Sequence, residues 1–182
     1  DKPQVSIVMP CLNEEDTLTS CIDKARQGLS SIGVNGEILV VDNGSSDKSI
    51  ELAESLGVSV VSETTRGYGA ALRRGFVEAR GDYIVMADAD DSYDFRGLGV
   101  FIEKLFDGWD LVMGSRLKGL IAPGAMPWLH RYFGTPVLTW IINRLYGSNI
   151  SDANCGMRGF SKRALSLMDL RTTGMELASE MV

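Results

Sequence analysis

Four acidic residues crowd one short stretch, YIVMADADDSYDF (83–95), directly behind an apolar run: Asp88, Asp90, Asp91 and Asp94. Like charges at this density repel one another, and a solvated turn needs only one or two of them. A positive partner is therefore expected, either a divalent cation, an arginine cluster or both. Asp88 and Asp90 are one residue apart, so in an extended loop both carboxylates can turn towards one point. Such a pair suits Mg²⁺ or Mn²⁺, which completes its shell with water and phosphate oxygens.

Comparable turns follow the other apolar runs of the chain. The five turns are Pro10 to Glu14, Asp42-Asn43-Gly44-Ser45, Arg66-Gly67-Tyr68-Gly69, Asp88-Ala89-Asp90 and Gly114-Ser115-Arg116. Each has an ordinary explanation when taken alone, since DNG is a common turn and RGYG matches neither a dinucleotide nor a P-loop fingerprint. In an open parallel sheet, however, ligands bind beyond the carboxyl ends of the strands. Five such turns at one rim therefore indicate a site.

The elements that must position these turns alternate along the chain. Strands are predicted at 5–9, 37–41, 58–62, 83–87 and 110–114, with apolar residues at helical spacing between them. We expect Pro10 to end the first strand, and Asn13 and Ser46 to cap the first two helices. Further helices are predicted after RGYG and near 95–107. The predicted fold class is α/β, a mostly parallel sheet with helices on both faces.

Length and composition limit the classes of protein. The 182 residues fit a single domain, 1–182, and the net charge of −6 with no basic face argues against a nucleic-acid partner. Three widely spaced cysteines form neither a disulfide framework nor a zinc motif, which favours a reducing, cytoplasmic setting. No apolar run reaches the roughly 20 residues of a membrane span. The chain begins without Met and ends inside a helical pattern, so we expect a fragment of a longer protein.

The charges at the predicted rim indicate what it holds. Asp42 can accept hydrogen bonds from a base or ribose. Arg116 carries a planar, positively charged guanidinium group whose N–H donors suit a diphosphate. Carboxylates, a metal and an arginine around a diphosphate describe a site for a nucleoside diphosphate. The alternative is an acidic, solvated loop without a ligand.

Several blocks of this chain resemble family 2 glycosyltransferases with the GT-A fold: VSIVMPCLNEEDTL, EILVVDNGSSDKS, RGYGAALRRGF, DYIVMADADDSYDF and DLVMGSRLKG. The resemblance covers residues 4–182. The later block SDANCGMRGFSKRAL, with PWLHRY before it, is similar to dolichyl- and polyprenyl-phosphate sugar synthases. The resemblance implies inverting transfer from a UDP- or GDP-hexose to a lipid phosphate at the cytoplasmic face of a membrane. It also implies membrane segments beyond Val182.

The resemblance implies a role for each matching position. The nucleotide-binding positions are Pro10, Leu12, Glu14, Asp42, Asn43, Asp88 and Ala89. Asp88 and Asp90 form the metal-binding DXD motif, with Asp90 as the direct ligand. The catalytic positions are Asp90, Arg116 on the diphosphate side and Asp152 beside the sugar, and the acceptor-binding positions are Arg131 and Arg158.

This chain departs from the family pattern at a few positions. Leu12 stands where Tyr is common, and Asn43 where a second Asp is common. Both positions concern base recognition, so UDP and GDP stay open as alternatives. Ser92 replaces a common Gln, which makes Asp91 a candidate extra metal ligand.

The segment MPWLHRYFGTPVLTWIINRLY (126–146) bears on the acceptor. Its aromatic and basic residues are typical of a helix pair at a membrane surface, and the alternative is a core helix packed on the sheet. A glycosyltransferase acting on a polysaccharide, protein or other lipid is the rival function, and a hydroxyl acceptor would need Asp152 or Glu180 as a base. A nucleotidyltransferase would need a glycine- and arginine-rich loop in place of PCLNEED. A non-catalytic nucleotide-sugar module is the last alternative.

Overall fold

The computed structural model describes residues 2–115, 135–147, 150–152 and 155–182. Its described part contains one six-stranded sheet in the order β3-β2-β1-β4-β6-β5. The strands are β1 (Val5–Cys11), β2 (Gly36–Asp42), β3 (Ser59–Ser62), β4 (Tyr83–Met86), β5 (Leu111–Met113) and β6 (Arg158–Ser161). The first four pair in parallel, and β6 runs antiparallel to both β4 and β5. The mostly parallel sheet is confirmed, and β6 is a strand that the sequence did not predict.

Helices cover both faces of the sheet, as predicted. They are α1 (Leu18–Ser31), α2 (Ser49–Ser55), α3 (Tyr68–Glu78), α4 (Leu98–Phe106) after a 3-10 turn at Phe95–Gly97, α5 (Thr135–Tyr146), α6 (Lys162–Leu167) and α7 (Leu177–Glu180). Strand alternation sends Ile7 and Met9 into a core with α1 and α4, while Val8 packs in a second core with α3. None of the helices described here has the length and apolar character that crossing a bilayer requires.

The predicted end of the first strand at Pro10 is wrong. Strand β1 continues through Pro10 to Cys11, because its pairing with β2 extends to Cys11↔Asp42. The pairing of β1 with β4 ends at Val8↔Met86, so Pro10 has a strand neighbour on one side only, where a missing N–H is tolerated.

The predicted helix caps are also wrong, since α1 begins at Leu18 and α2 at Ser49. Asn13 instead adopts a left-handed φ of 59°, and its Oδ1 accepts a hydrogen bond of 2.8 Å from the Ser46 N–H. The two residues therefore join the loops after β1 and β2, which positions both loops at the rim.

Gly75 allows α3 to approach the sheet, and we expect Gly75→Val to destabilise the fold. A Cβ at this position would collide with Val8 and lie 2.9 Å from Val41 Cγ2, and both valines are buried. Overpacking of this kind costs about 1–3 kcal/mol of the free energy of unfolding, measured by denaturant titration. Gly97→Val is the matched control, because a Cβ there meets nothing within 4 Å. Equal stability of the two variants would contradict this account of α3.

Candidate active site

A cavity of about 280 Å³ opens where β1, β2 and β4 end, and it collects most of the predicted site residues. We call it the acidic cavity. Its lining consists of Pro10, Cys11, Leu12, Glu14, Asn43, Tyr68, Ala71, Asp88, Ala89, Asp90 and Met175. Asp42, Asp152 and Arg158 are not part of this lining, and Arg116 and Arg131 lie outside the described residues. A larger groove of about 470 Å³ runs between α3 and residues 165–173, away from the paired aspartates.

The peptide between the two aspartates is anchored to α1. Ala89 is buried, and its carbonyl oxygen accepts hydrogen bonds from Thr17 Oγ1 at 2.8 Å and from Cys21 Sγ at 3.3 Å. Burial raises the pKa of the Cys21 thiol to about 11, so the thiol keeps the proton that it donates. Because this central residue faces α1, its two neighbours, Asp88 and Asp90, face the cavity.

Asp91 and Asp94 of the acidic loop pair with nearby basic side chains. Asp91, with a left-handed φ of 63°, forms an ion pair of 2.6 Å with Lys24. Asp94 caps the 3-10 turn and pairs with Arg96, whose hydrogen bond lowers the pKa of the Asp94 carboxyl. Lys24 and Arg96 thus neutralise Asp91 and Asp94 within the protein. The other two, Asp88 and Asp90, line the cavity.

Glu14 adds a third carboxylate to the cavity. Burial raises its pKa, a hydrogen bond from Thr17 opposes the shift, and the negative charges of Asp90 and Asp88 raise it further. These charges create a local field that favours a cation. No group of three or more metal-ligating side chains occurs within the described ranges. The residues present nonetheless fit Mg²⁺ or Mn²⁺, which commonly uses one or two carboxylates and takes its remaining ligands from water and phosphate.

Asp42 and Asn43 hold the loop after β2. Asp42 is buried, and its carboxylate accepts hydrogen bonds from the N–H groups of Gly44 at 3.0 Å and Ser45 at 2.9 Å. Asn43 Nδ2 donates to the carbonyls of Glu63 and Thr65, so both of its amide hydrogens are used within the protein. The predicted base contacts of Asp42 and Asn43 stay predictions.

Asp152 and Arg158 are fully buried beneath this rim. Arg158 donates from Nε to the Cys155 carbonyl at 2.9 Å and from Nη1 to the Ala178 carbonyl at 2.6 Å, and burial lowers its pKa. These contacts tie β6 to α7. The predicted sugar and acceptor contacts of Asp152 and Arg158 also stay predictions, since the described contacts are internal.

Four residues of the cavity lining had no predicted role: Cys11, Tyr68, Ala71 and Met175. Tyr68 Oη donates a hydrogen bond of 2.8 Å to Asp88 Oδ1, and both burial and the charge of Asp88 raise the Tyr68 pKa, which keeps the hydroxyl protonated. The sequence signal that could have indicated Tyr68 is its position between two glycines, in the turn that follows the third strand. Met175 reaches the cavity from a distant part of the chain, and no local pattern marks it.

Proteins with similar sequences identify the family of this chain. The chain matches the model of glycosyl transferase family 2 over residues 6–167. It belongs to this family.

The chain is 45% identical over 181 residues to the low-salt glycan biosynthesis hexosyltransferase Agl6 of Haloferax volcanii, a match that covers 99% of this chain and 44% of that protein. It is 28% identical over 175 residues to an undecaprenyl-phosphate 4-deoxy-4-formamido-L-arabinose transferase of Pectobacterium carotovorum, with coverage of 92% and 52%. The chain thus spans about half the length of these curated relatives.

Solved structures confirm the GT-A fold expected of a family 2 glycosyltransferase. One is the glucosyl-3-phosphoglycerate synthase of Mycobacterium tuberculosis in complex with Mn²⁺ and UDP-glucose. It superposes with a TM-score of 0.72 at 25% identity, covering 98% of this chain and 63% of that one.

Removing Asp90 tests the metal site. Asp90 is exposed, and its Oδ1 accepts a hydrogen bond of 2.9 Å from the Ser92 N–H of its own loop. We expect Asp90→Ala to abolish the metal-dependent part of nucleotide binding and to leave the fold intact, because losing one acid relieves repulsion in the loop. Calorimetric titration of UDP and GDP with and without Mn²⁺ measures the metal-dependent binding, and the Tm of the variant shows whether the fold is intact. Asp94→Ala removes an acid of the same loop that already pairs with Arg96, and it should keep the metal dependence. Unchanged metal dependence in Asp90→Ala would refute the assignment.

Replacing Asp42 tests base recognition. We expect Asp42→Ala to weaken nucleotide binding by about 1–3 kcal/mol, the cost of an unmade charged hydrogen bond, and to reduce the discrimination between UDP and GDP. Asp47→Ala is the control, since this carboxylate accepts from the Ser49 and Glu15 N–H groups and holds the same loop. If both variants weaken UDP and GDP binding equally, Asp42 shapes the loop and does not read the base.

Proposed function

We propose that this family 2 glycosyltransferase moves a hexose from a nucleoside-diphosphate sugar to a polyprenyl or dolichyl phosphate, with inversion at the anomeric carbon. The observation that carries the proposal is the pair Asp88 and Asp90 in the lining of a cavity formed where the parallel strands end. A site at this edge of an α/β sheet is where such a fold binds nucleotides. The UDP-glucose and Mn²⁺ in the mycobacterial structure support a nucleotide sugar and a divalent cation here.

The site residues would divide the chemistry as follows. Pro10, Leu12 and Glu14 line the nucleotide side, while Asp88 and Asp90 hold Mg²⁺ or Mn²⁺ against the diphosphate. When bound, the cation neutralises negative charge on the departing nucleoside diphosphate. An acceptor phosphate oxygen forms the new bond to the anomeric carbon as the bond to the β-phosphate oxygen breaks. A phosphate is already an anion near pH 7, so positioning and electrostatic stabilisation supply most of the rate.

Helix α5 supports a lipid acceptor. Trp140 is 66% and Leu145 is 71% exposed, and Val137 and Ile141 are exposed on the same side of the helix. The basic residue Arg144 lies in its last turn. An exposed apolar stripe with a basic residue favours contact with a membrane surface over a core position. The undecaprenyl-phosphate transferase among the relatives supports the same acceptor class. We propose that the transfer takes place at the cytoplasmic face of a membrane.

The surroundings of the two candidate bases also favour a phosphate acceptor. Asp152 is fully buried. Glu180 accepts hydrogen bonds from the Arg171 N–H, the Thr172 N–H and Thr172 Oγ1, at 2.9, 3.0 and 2.6 Å. The Glu180 carboxylate is thus occupied by backbone and side-chain donors of its own chain, and Asp152 is shielded from solvent, whereas transfer to a hydroxyl acceptor would need a base at the acceptor oxygen.

A transfer assay on the full-length protein tests the acceptor class. Labelled UDP- and GDP-hexoses are offered with polyprenyl phosphate, polyprenol or phosphoglyceric acid, and product is expected with polyprenyl phosphate alone. Arg131→Ala should raise the apparent KM for polyprenyl phosphate several-fold and leave nucleotide affinity unchanged, because a contact to the acceptor phosphate does not touch the donor. Arg144→Ala is the matched control from the same segment and should have a smaller effect on this KM.

Two results would contradict the proposal. Product with polyprenol or phosphoglyceric acid would favour a glycosyltransferase with a hydroxyl acceptor. Equal loss of donor and acceptor binding in Arg131→Ala would indicate a folding role for this arginine.

A further inference from the structure

The RGYG turn, which matches no nucleotide-binding fingerprint, contacts several walls of the acidic cavity. Arg66 Nη1 donates to the Asn43 carbonyl at 2.8 Å and to the Gly44 carbonyl at 3.3 Å. The Gly67 N–H donates to Asn43 Oδ1 at 2.8 Å. The beginning of the turn is therefore fixed to the loop after β2.

The two glycines of the turn fit against a distant segment, residues 172–174. Gly67 has a φ of 133°, and a Cβ there would collide with the Thr173 carbonyl. A Cβ on Gly69 would lie 2.8 Å from the carbonyl oxygens of Thr172 and Gly174. The Ala70 N–H donates to the Thr173 carbonyl at 3.0 Å. This backbone donor at the start of α3 is therefore used within the protein. Glycine is thus required on both sides of Tyr68 for packing.

Tyr68 therefore has a backbone held on both sides and a side chain directed at one acid. It is half-buried and packs against the core that contains α3 and Val8. Its hydroxyl donates to Asp88 Oδ1 at 2.8 Å. A packed ring on a fixed backbone has little rotamer freedom, so the donor position is well defined.

The opposite side of the Asp88 carboxylate lies against Gly156. A Cβ on Gly156 would fall 2.9 Å from Asp88 Oδ2 and 3.0 Å from Tyr93 Oη. The Gly156 N–H donates to Tyr93 Oη at 2.7 Å, which fixes this glycine in place. The Asp88 carboxylate is thus enclosed between a hydroxyl and a backbone. The exposed Asp90, in contrast, has a described contact only within its own loop.

We propose that Tyr68 is a positioning residue that orients the Asp88 carboxylate for the divalent cation, an inference that rests on the proposed metal site. A hydrogen bond to a metal-binding carboxylate fixes its direction, and loss of such an outer contact commonly lowers metal affinity 10–100-fold. The geometry assigns the two aspartates different tasks. Asp88 is the rigid member of the pair, and Asp90 is the member that adjusts to the cation.

The test is Tyr68→Phe, which removes the hydroxyl and keeps the ring. Mn²⁺ affinity is measured from the electron paramagnetic resonance signal of free Mn²⁺, with saturating UDP or GDP, whichever the wild type binds more tightly. Affinity for the same nucleotide without metal and the Tm are measured in parallel. We expect Mn²⁺ affinity to fall about tenfold or more, with metal-free nucleotide affinity and Tm unchanged. Tyr83→Phe is the matched control and should bind Mn²⁺ like the wild type, since Tyr83 begins β4 at the opposite end of the strand and packs on Phe106.

Asp88→Ala is measured beside them to separate two kinds of failure. Loss of Mn²⁺ affinity in Asp88→Ala with wild-type affinity in Tyr68→Phe would overturn the role of Tyr68 and leave the metal site standing. Wild-type Mn²⁺ affinity in Asp88→Ala would remove Asp88 from the metal site and overturn the role of Tyr68 with it, whereas the titration of Asp90→Ala decides whether the metal site itself stands. Equal loss of metal-free nucleotide binding and Mn²⁺ binding in Tyr68→Phe would make Tyr68 a wall of the cavity and overturn positioning.

Discussion

The buried carbonyl oxygen of Ala89 is the contact on which the acidic cavity depends. Two donors on α1, Thr17 Oγ1 and Cys21 Sγ, hold it at the end of β4. Without that anchor, repulsion between Asp88 and Asp90 would favour turning the carboxylates apart into water. The fold overcomes this repulsion with a buried hydrogen-bonded peptide, because breaking these bonds would leave an unpaired carbonyl in the core at a cost of about 1–3 kcal/mol. Packing of α1 on the sheet is in this way a condition for the site chemistry.

Unequal strand pairing creates the space beside that loop. Strand β1 stays paired with β2 as far as Cys11↔Asp42, but with β4 only as far as Val8↔Met86. The chain after β4 therefore leaves the sheet while β1 continues, and Pro10 and Cys11 border the gap. A proline suits this position because no strand on that side requires its N–H. The cavity thus follows from strand register before any side chain is considered.

The sequence predicted those features that local composition determines. Buried runs such as VSIVM and YIVMA produced four parallel strands and the rim at which they end, and the spacing of Asp88 and Asp90 predicted their convergence. Contacts between distant parts of the chain could not be predicted from local sequence patterns. Strand β6 contains Arg158 and a glycine, and its strand conformation comes from pairing with β4 and β5. The pairing of Asp91 with Lys24 likewise depends on how α1 packs, and no local pattern indicates it.

The charge of the cavity has a consequence for how its proposed ligands would bind. Glu14, Asp88 and Asp90 line it, and the raised pKa of Glu14 reflects the charges of the other two as well as its burial. A diphosphate that entered alone would add further negative charge to three carboxylates, while a cation that entered alone would find few ligands from the chain. Each ligand removes the obstacle to the other, since the cation cancels repulsion and the diphosphate completes the coordination shell. Because such coupling is reciprocal, the cation and the nucleotide must strengthen each other's binding by the same factor. The acidic cavity is therefore suited to the paired ligand, the metal–nucleotide complex, in preference to either component alone.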